Sequence, residues 1–159
     1  MFRTFARPLA AALVFGGLAM TAQAATDDQS VNTLITKPSP HSVAETVAKM
    51  KAALEGAGIT IFGEVDHAKG AASVDLELDD AVVLMFGNPR IGTPLMQSNI
   101  RAGLDLPLKA LIYSKGGITY VAYLDPAELK ARYGLDGVDP VIARITGALN
   151  NFSNAAITE

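Results

Sequence analysis

The stretch LKALIYSKGGITYVAYL, residues 108–124, decides the fold. Two runs rich in aliphatic and aromatic residues, 108–114 and 118–124, flank Lys115-Gly116-Gly117. A Gly-Gly pair accepts the positive φ angles that a two-residue primed turn demands, so the spacing predicts a β-hairpin. The register follows from the turn: Tyr113 faces Tyr120 and Leu111 faces Ala122 on one side, while Ile112 and Val121 meet on the other. Both faces of the hairpin are apolar. Each needs a covering layer.

Downstream, Asp125, Pro126 and Glu128 start a helix, with Leu124 and Leu129 spaced as a hydrophobic staple and Gly134 as its end. Asp139-Pro140 opens a last helix whose apolar positions Val138, Ile142, Ile145, Leu149 and Phe152 recur at helical spacing. Upstream, the unbroken apolar run 81–87 reads as a strand buried on both faces and central in the sheet. Asn88-Pro89 stops it. Thr93-Pro94 is expected to open a short helix reaching Arg101, and Leu106-Pro107 leads back into the hairpin.

Residues 59–65 form the preceding strand, with Gly63 as a bulge and 66–70 as the loop leaving it. Before that, Ser42 and Glu45 make a capping box ahead of the stripe Val43, Val47, Met50 and Leu54, and Gly56 supplies a left-handed end. A first strand is expected over 31–37, ended by Pro38 and Pro40. Strands and helices mix without strict alternation and nothing repeats. The expectation is one compact α+β domain over 41–159, a mixed β-sheet of about five strands packed with helices, the first strand belonging to its sheet.

Residues 1–24 read as a secretory signal: Arg3 and Arg7, an apolar stretch over 9–20, and Ala22-Gln23-Ala24 as a small-residue cleavage site. Residues 25–40 then hold a polar lead and the first strand, and the mature chain is expected to be periplasmic or secreted. No later run of 18 apolar residues suggests a membrane span. With 50% hydrophobic and 18% charged residues the chain can build a core and is not a disordered one. Loss of Arg3 and Arg7 moves the formal charge from −3 to −5, which argues against nucleic acid as a partner, since phosphate binding calls for a basic excess. The chain has no cysteine, so disulfides, thiolate metal sites and cysteine nucleophiles are excluded.

The candidate chemistry is sparse. Asp66-His67, with Glu64 two residues earlier, places a titratable imidazole beside carboxylates, as a general acid or base requires. The competing reading is a structural histidine at a strand end. The Gly87-Asn88-Pro89-Arg90-Ile91-Gly92-Thr93 turn invites comparison with a phosphate loop, but the expected lysine is missing and Pro94 removes an amide. No serine stands in a nucleophile elbow, and His41 and His67 lack metal-ligand spacing. Met50, Met85 and Met96 could hold a soft ion such as copper(I), although Met50 and Met85 fall in apolar patterns that suit a core. No metal and no cofactor is therefore expected.

Asp66-His67, Phe86-Gly87-Asn88-Pro89 with Gly92-Thr93-Pro94-Leu95-Met96, and Leu106-Pro107 before the hairpin resemble the domain of unknown function 302 family, from about His41 to Gly134. The resemblance implies a fold like the TATA-binding-protein topology and a tendency to form homodimers, with no established activity. Fold does not carry DNA binding with it. Two functions remain: a non-enzymatic module that binds a small ligand or partner through His67, Asn88, Pro89, Arg90 and Thr93, which is preferred, or an enzyme using His67 with Asp66 or Glu64. The binding reading treats His67 and the Asn88-Pro89 turn as one site, on the premise that their strands run parallel.

Overall fold

The 108–124 hairpin forms as its sequence demands, with Gly116 at φ 60° and Gly117 at φ 79° in the turn and with Tyr113 opposite Tyr120, Ile112 opposite Val121 and Leu111 opposite Ala122. The computed structural model describes residues 33–159. The signal segment, the polar lead and residues 31–32 of the expected first strand lie outside them. In chain order the elements are β1 (Leu34–Ser39), α1 (Val43–Gly56), β2 (Thr60–Asp66), α2 (His67–Ala72), β3 (Ala81–Gly87), α3 (Pro89–Ser98), a 3-10 turn (Ile100–Leu104), β4 (Leu108–Lys115), β5 (Ile118–Leu124), α4 (Pro126–Tyr133) and α5 (Asp139–Ile157).

The strands order β1-β5-β4-β3-β2, and every pairing is antiparallel. The domain is thus α+β as expected, but its sheet is antiparallel throughout and not mixed. Strand β4, not β3, is central. β1 is an edge, which explains how it runs through Pro38 to Ser39 instead of stopping before the proline: an edge strand tolerates a missing donor.

Helices α1 and α5 pack on each other and on one face of the sheet. Met50 and Leu54 of α1 meet Leu84, Phe86, Ala110, Ile112 and Val121 of the sheet in a fully buried core that α5 joins through Ile145 and Leu149. Ser42 accepts from the Glu45 amide at 3.2 Å, but the Glu45 carboxylate turns to His41 at 3.3 Å, so the reciprocal half of the expected box is absent. The α1 end is also shifted: Gly56 stays helical and Gly58, at φ 67°, takes the left-handed conformation. Gly134 closes α4 at φ 56° as expected.

The opposite face carries Leu34 from β1, Tyr120 and Ala122 from β5, Leu111 and Tyr113 from β4, and Val83 and Met85 from β3. Except for the small Ala122, each of these keeps some exposure. β3 is accordingly not buried on both faces, because only Leu84 and Phe86 point to the helices with full burial. Tyr113 and Tyr120 stack on this open side with ring centroids 5.4 Å apart. Helix α3 packs against α5 instead of covering it.

Candidate functional site

Antiparallel pairing of β2 with β3 separates the two halves of the expected site. Asp66 lies opposite Val82, whereas Thr60 lies opposite Gly87. His67 and Asn88 therefore leave opposite ends of the sheet, divided by roughly the length of a seven-residue strand, about 20 Å at ~3.3 Å per residue. The premise of parallel strands fails and the composite site fails with it.

At the His67 end, the expected loop 66–70 is the start of α2. Asp66 accepts from the Lys69 amide at 2.9 Å and pairs with the Lys69 ammonium at 2.9 Å. Those hydrogen bonds, the backbone one foremost, hold the Asp66 carboxyl below its usual range. Glu64 is taken by Lys51 at 2.9 Å. The exposed His67 is thus left without an orienting carboxylate, and the acid–base reading loses its geometry. His41 is used structurally, its Nε2 lying 3.0 Å from the Thr158 carbonyl oxygen. Met50 is in the core, Met85 is on the far face of the sheet and Met96 is within α3 at the cavity wall, so the three sulfurs do not converge. Among the described residues no group of three His, Cys, Asp or Glu side chains could hold a metal.

The Asn88 end is where a cavity forms. Asn88 Oδ1 accepts from the Arg90 amide at 2.9 Å, so α3 begins at Pro89 with Asn88 as its cap. Thr93-Pro94, expected to start that helix, lies inside it. The cap turns the chain sharply at the end of β3, and Leu106-Pro107 returns beside it into β4, where Leu108 pairs with Phe86. Between these segments lies a cavity of about 250 Å³ bordered by Asn88, Pro89, Thr93, Met96, Leu106 and Pro107. Phe62, at the β2 bulge, Ile91, Leu108 and, from α5, Ile145 also line it. Among the described residues no ionisable side chain lines it.

Two glycines make the room. A Cβ at Gly87 would come within 3.7 Å of both Phe62 and Pro107, and one at Gly92 within 3.6 Å of Leu106, so side chains there would project against the cavity's own walls without clash. Of the five predicted ligand residues, Asn88, Pro89 and Thr93 are brought together, Arg90 is exposed outside the cavity, and His67 is remote. Sequence reasoning missed Phe62, Met96, Leu106, Pro107 and Ile145. A bulge re-aims a side chain, and Gly63 was its only signal; for Ile145, an apolar stripe does not reveal which member borders a void.

A second feature had no sequence signal. Lys37, from β1, donates to Asn150 at 2.7 Å, Ser153 at 2.8 Å and Asn154 at 2.6 Å on α5. Burial lowers the Lys37 pKa. A lysine within reach of a serine hydroxyl resembles a nucleophile and its base, but Ser153 is fully buried, which closes it to substrate. The cluster ties β1 to α5.

Comparison with known proteins places this geometry. The sequence pattern of the family described as "Domain of unknown function DUF302" matches residues 35–152. A crystal structure of an uncharacterized conserved protein DUF302 from Bacillus stearothermophilus superposes with a TM-score of 0.72 at 18% identity, covering 78% of this chain and 98% of that one. The sequence is 40% identical over 117 residues to a protein named fluoride-specific ion channel FluC 1 from Brucella suis biovar 1, covering 72% of this chain and 46% of that protein. A Brucella abortus biovar 1 protein of the same name matches at 40% identity over 43% of its length. The chain spans less than half the length of the curated relatives it matches. Among the described residues no helix is long and apolar enough to cross a membrane.

Proposed function

The chain belongs to the DUF302 family, a membership that defines a fold and leaves the activity open, and on that premise we propose that it is a binding module holding a small apolar ligand in the cavity beside Asn88. The observation that carries the reading is a wall almost wholly of aliphatic, aromatic and proline side chains, kept open by Gly87 and Gly92 and interrupted only by the polar groups of Asn88 and Thr93. Ligand sites have this composition: mostly apolar, with a few polar groups that fix orientation. An uncharged apolar fluorophore, N-phenylnaphthylamine, tests it. Its emission should rise on binding and should be reduced in Gly92→Leu, where the new side chain occupies the cavity. Unchanged emission with the wild-type chain at micromolar concentration would end the proposal.

The proposal extends to setting and assembly. Residues 1–24 direct export, which N-terminal sequencing of the exported protein would test: a chain beginning after Ala24 supports it, and Met1 or Phe2 at the terminus refutes it. A second copy covers the open sheet face. That face exposes Leu34 at 46% and Ile118 at 48% and carries Lys109 and Lys115, while residues 74–80 offer exposed Val74, Leu76 and Leu78 alternating with Asp75, Glu77 and Asp79, a complementary charge pattern. Sedimentation should give a dimer mass that Leu111→Lys reduces to a monomer.

A further inference from the structure

A second cavity, of about 240 Å³, lies against the first and shares Gly87, Asn88, Ile91, Leu108 and Ile145 with it. Neither void alone reaches the roughly 300–1,000 Å³ of small-molecule sites, whereas the two together do. The second differs in one respect. It is bordered by Arg144, which with Ala148 and Phe152 makes a stripe at four-residue spacing along α5. Among the described residues the exposed Arg144 takes no hydrogen bond or ion pair, and none of their carboxylates lines either cavity. Asn88 borders both, and with its Oδ1 engaged by the Arg90 amide its Nδ2 remains a donor without an acceptor among the described residues.

We propose that the paired cavities form one site for a single-chain amphiphile, its apolar chain in the void beside Leu106 and Pro107 and its anionic head, carboxylate or phosphate, between Arg144 and Asn88. The inference rests on the binding reading above and gives it a ligand class. A neutral chain satisfies the first cavity alone, while an anion also meets a guanidinium whose forked donors match carboxylate and phosphate oxygens. Among the described residues Arg144 carries the only formal charge on either wall.

Titration calorimetry of the chain with decanoate, decyl phosphate and decanol, each below its micellar concentration, separates the parts. At least one anion should bind about tenfold more tightly than decanol, the order expected from one charge-assisted contact. Arg144→Gln should abolish that preference and leave decanol binding unchanged, and Arg90→Gln, at an exposed arginine outside both cavities, should alter neither. A preference for decanoate or for decyl phosphate identifies the head, either one supporting the assignment. Decanol binding as tightly as both anions, or anion affinity unmoved by Arg144→Gln, overturns the amphiphile while the apolar cavity stands. If none of the three probes binds, the cavity reading beneath it falls as well.

Discussion

Gly92→Ala should stabilise the protein while narrowing its cavity, a pairing that few substitutions can show. Gly92 sits inside α3, where glycine costs about 0.5–1 kcal/mol relative to alanine through backbone entropy. Its φ is not positive, and the added Cβ would stand 3.6 Å from Leu106 Cδ1, ordinary contact distance. The new methyl also removes apolar surface from water at the cavity wall, worth at most ~0.8 kcal/mol. The expected gain is about 1 kcal/mol, which for a domain of this size raises Tm by roughly 3–4 °C. Calorimetric melting measures it, and fluorophore titration on the same sample should show weaker binding. A loss of about 1 kcal/mol or more would mean that the space beside Leu106 is not there. A gain in stability with binding unchanged would place the ligand elsewhere.

Asn88→Ala should cost about 1 kcal/mol in urea unfolding because it removes the α3 cap, and Asn88→Asp should retain most of it; His67→Ala, at an exposed position, should stay within about 0.5 kcal/mol. A loss at His67 equal to that at Asn88 would refute the separation of the two ends. Lys37 has its folded pKa lowered by burial, so between that value and the ordinary 10.5 the unfolded chain binds more protons and stability rises with pH. The stability difference between wild type and Lys37→Met should therefore move in favour of wild type as the buffer is raised from pH 8 toward 10.5, and a flat difference would refute it. Gly117→Val should lose about 1–3 kcal/mol by thermal melting, since φ 79° strains a β-branched residue; an unaltered Tm would count against the turn assignment.

Local signals were legible wherever one short segment carries the whole cause. The Gly116-Gly117 turn sets its own register, and the stripe Val43, Val47, Met50, Leu54 is buried as periodicity requires. The errors fell where a neighbour decides. Pro38 breaks a strand only if its donor is needed, and at the sheet edge it is not. Thr93-Pro94 matches a helix start, but Asn88-Pro89 offers the same signal five residues earlier, and the earlier cap wins because the chain must turn at the end of β3. Helix α2 was invisible because six residues interrupted by Gly70 have no apolar period to display.

The site shows the same division in a sharper form. Asn88, Pro89 and Thr93 were legible because their spacing around one turn is local, and they do share one cavity. Joining His67 to them required strand direction, and the continuous apolar run 81–87, a pattern common in parallel sheets, belongs here to an antiparallel one. Direction here follows from what links β2 to β3. A parallel return within one sheet needs a crossover of a dozen or more residues, usually an α-helix with an apolar side to lay on the sheet. The link offers the six-residue α2, none of it buried, and then an exposed stretch over 73–80. Such a segment has no apolar helix to lay across the sheet, and β3 folds back beside β2. That antiparallel return carries Asn88 away from His67 and leaves the Asn88 cap facing Leu106, Pro107 and Ile145, the apolar neighbours that turn a chain reversal into a cavity.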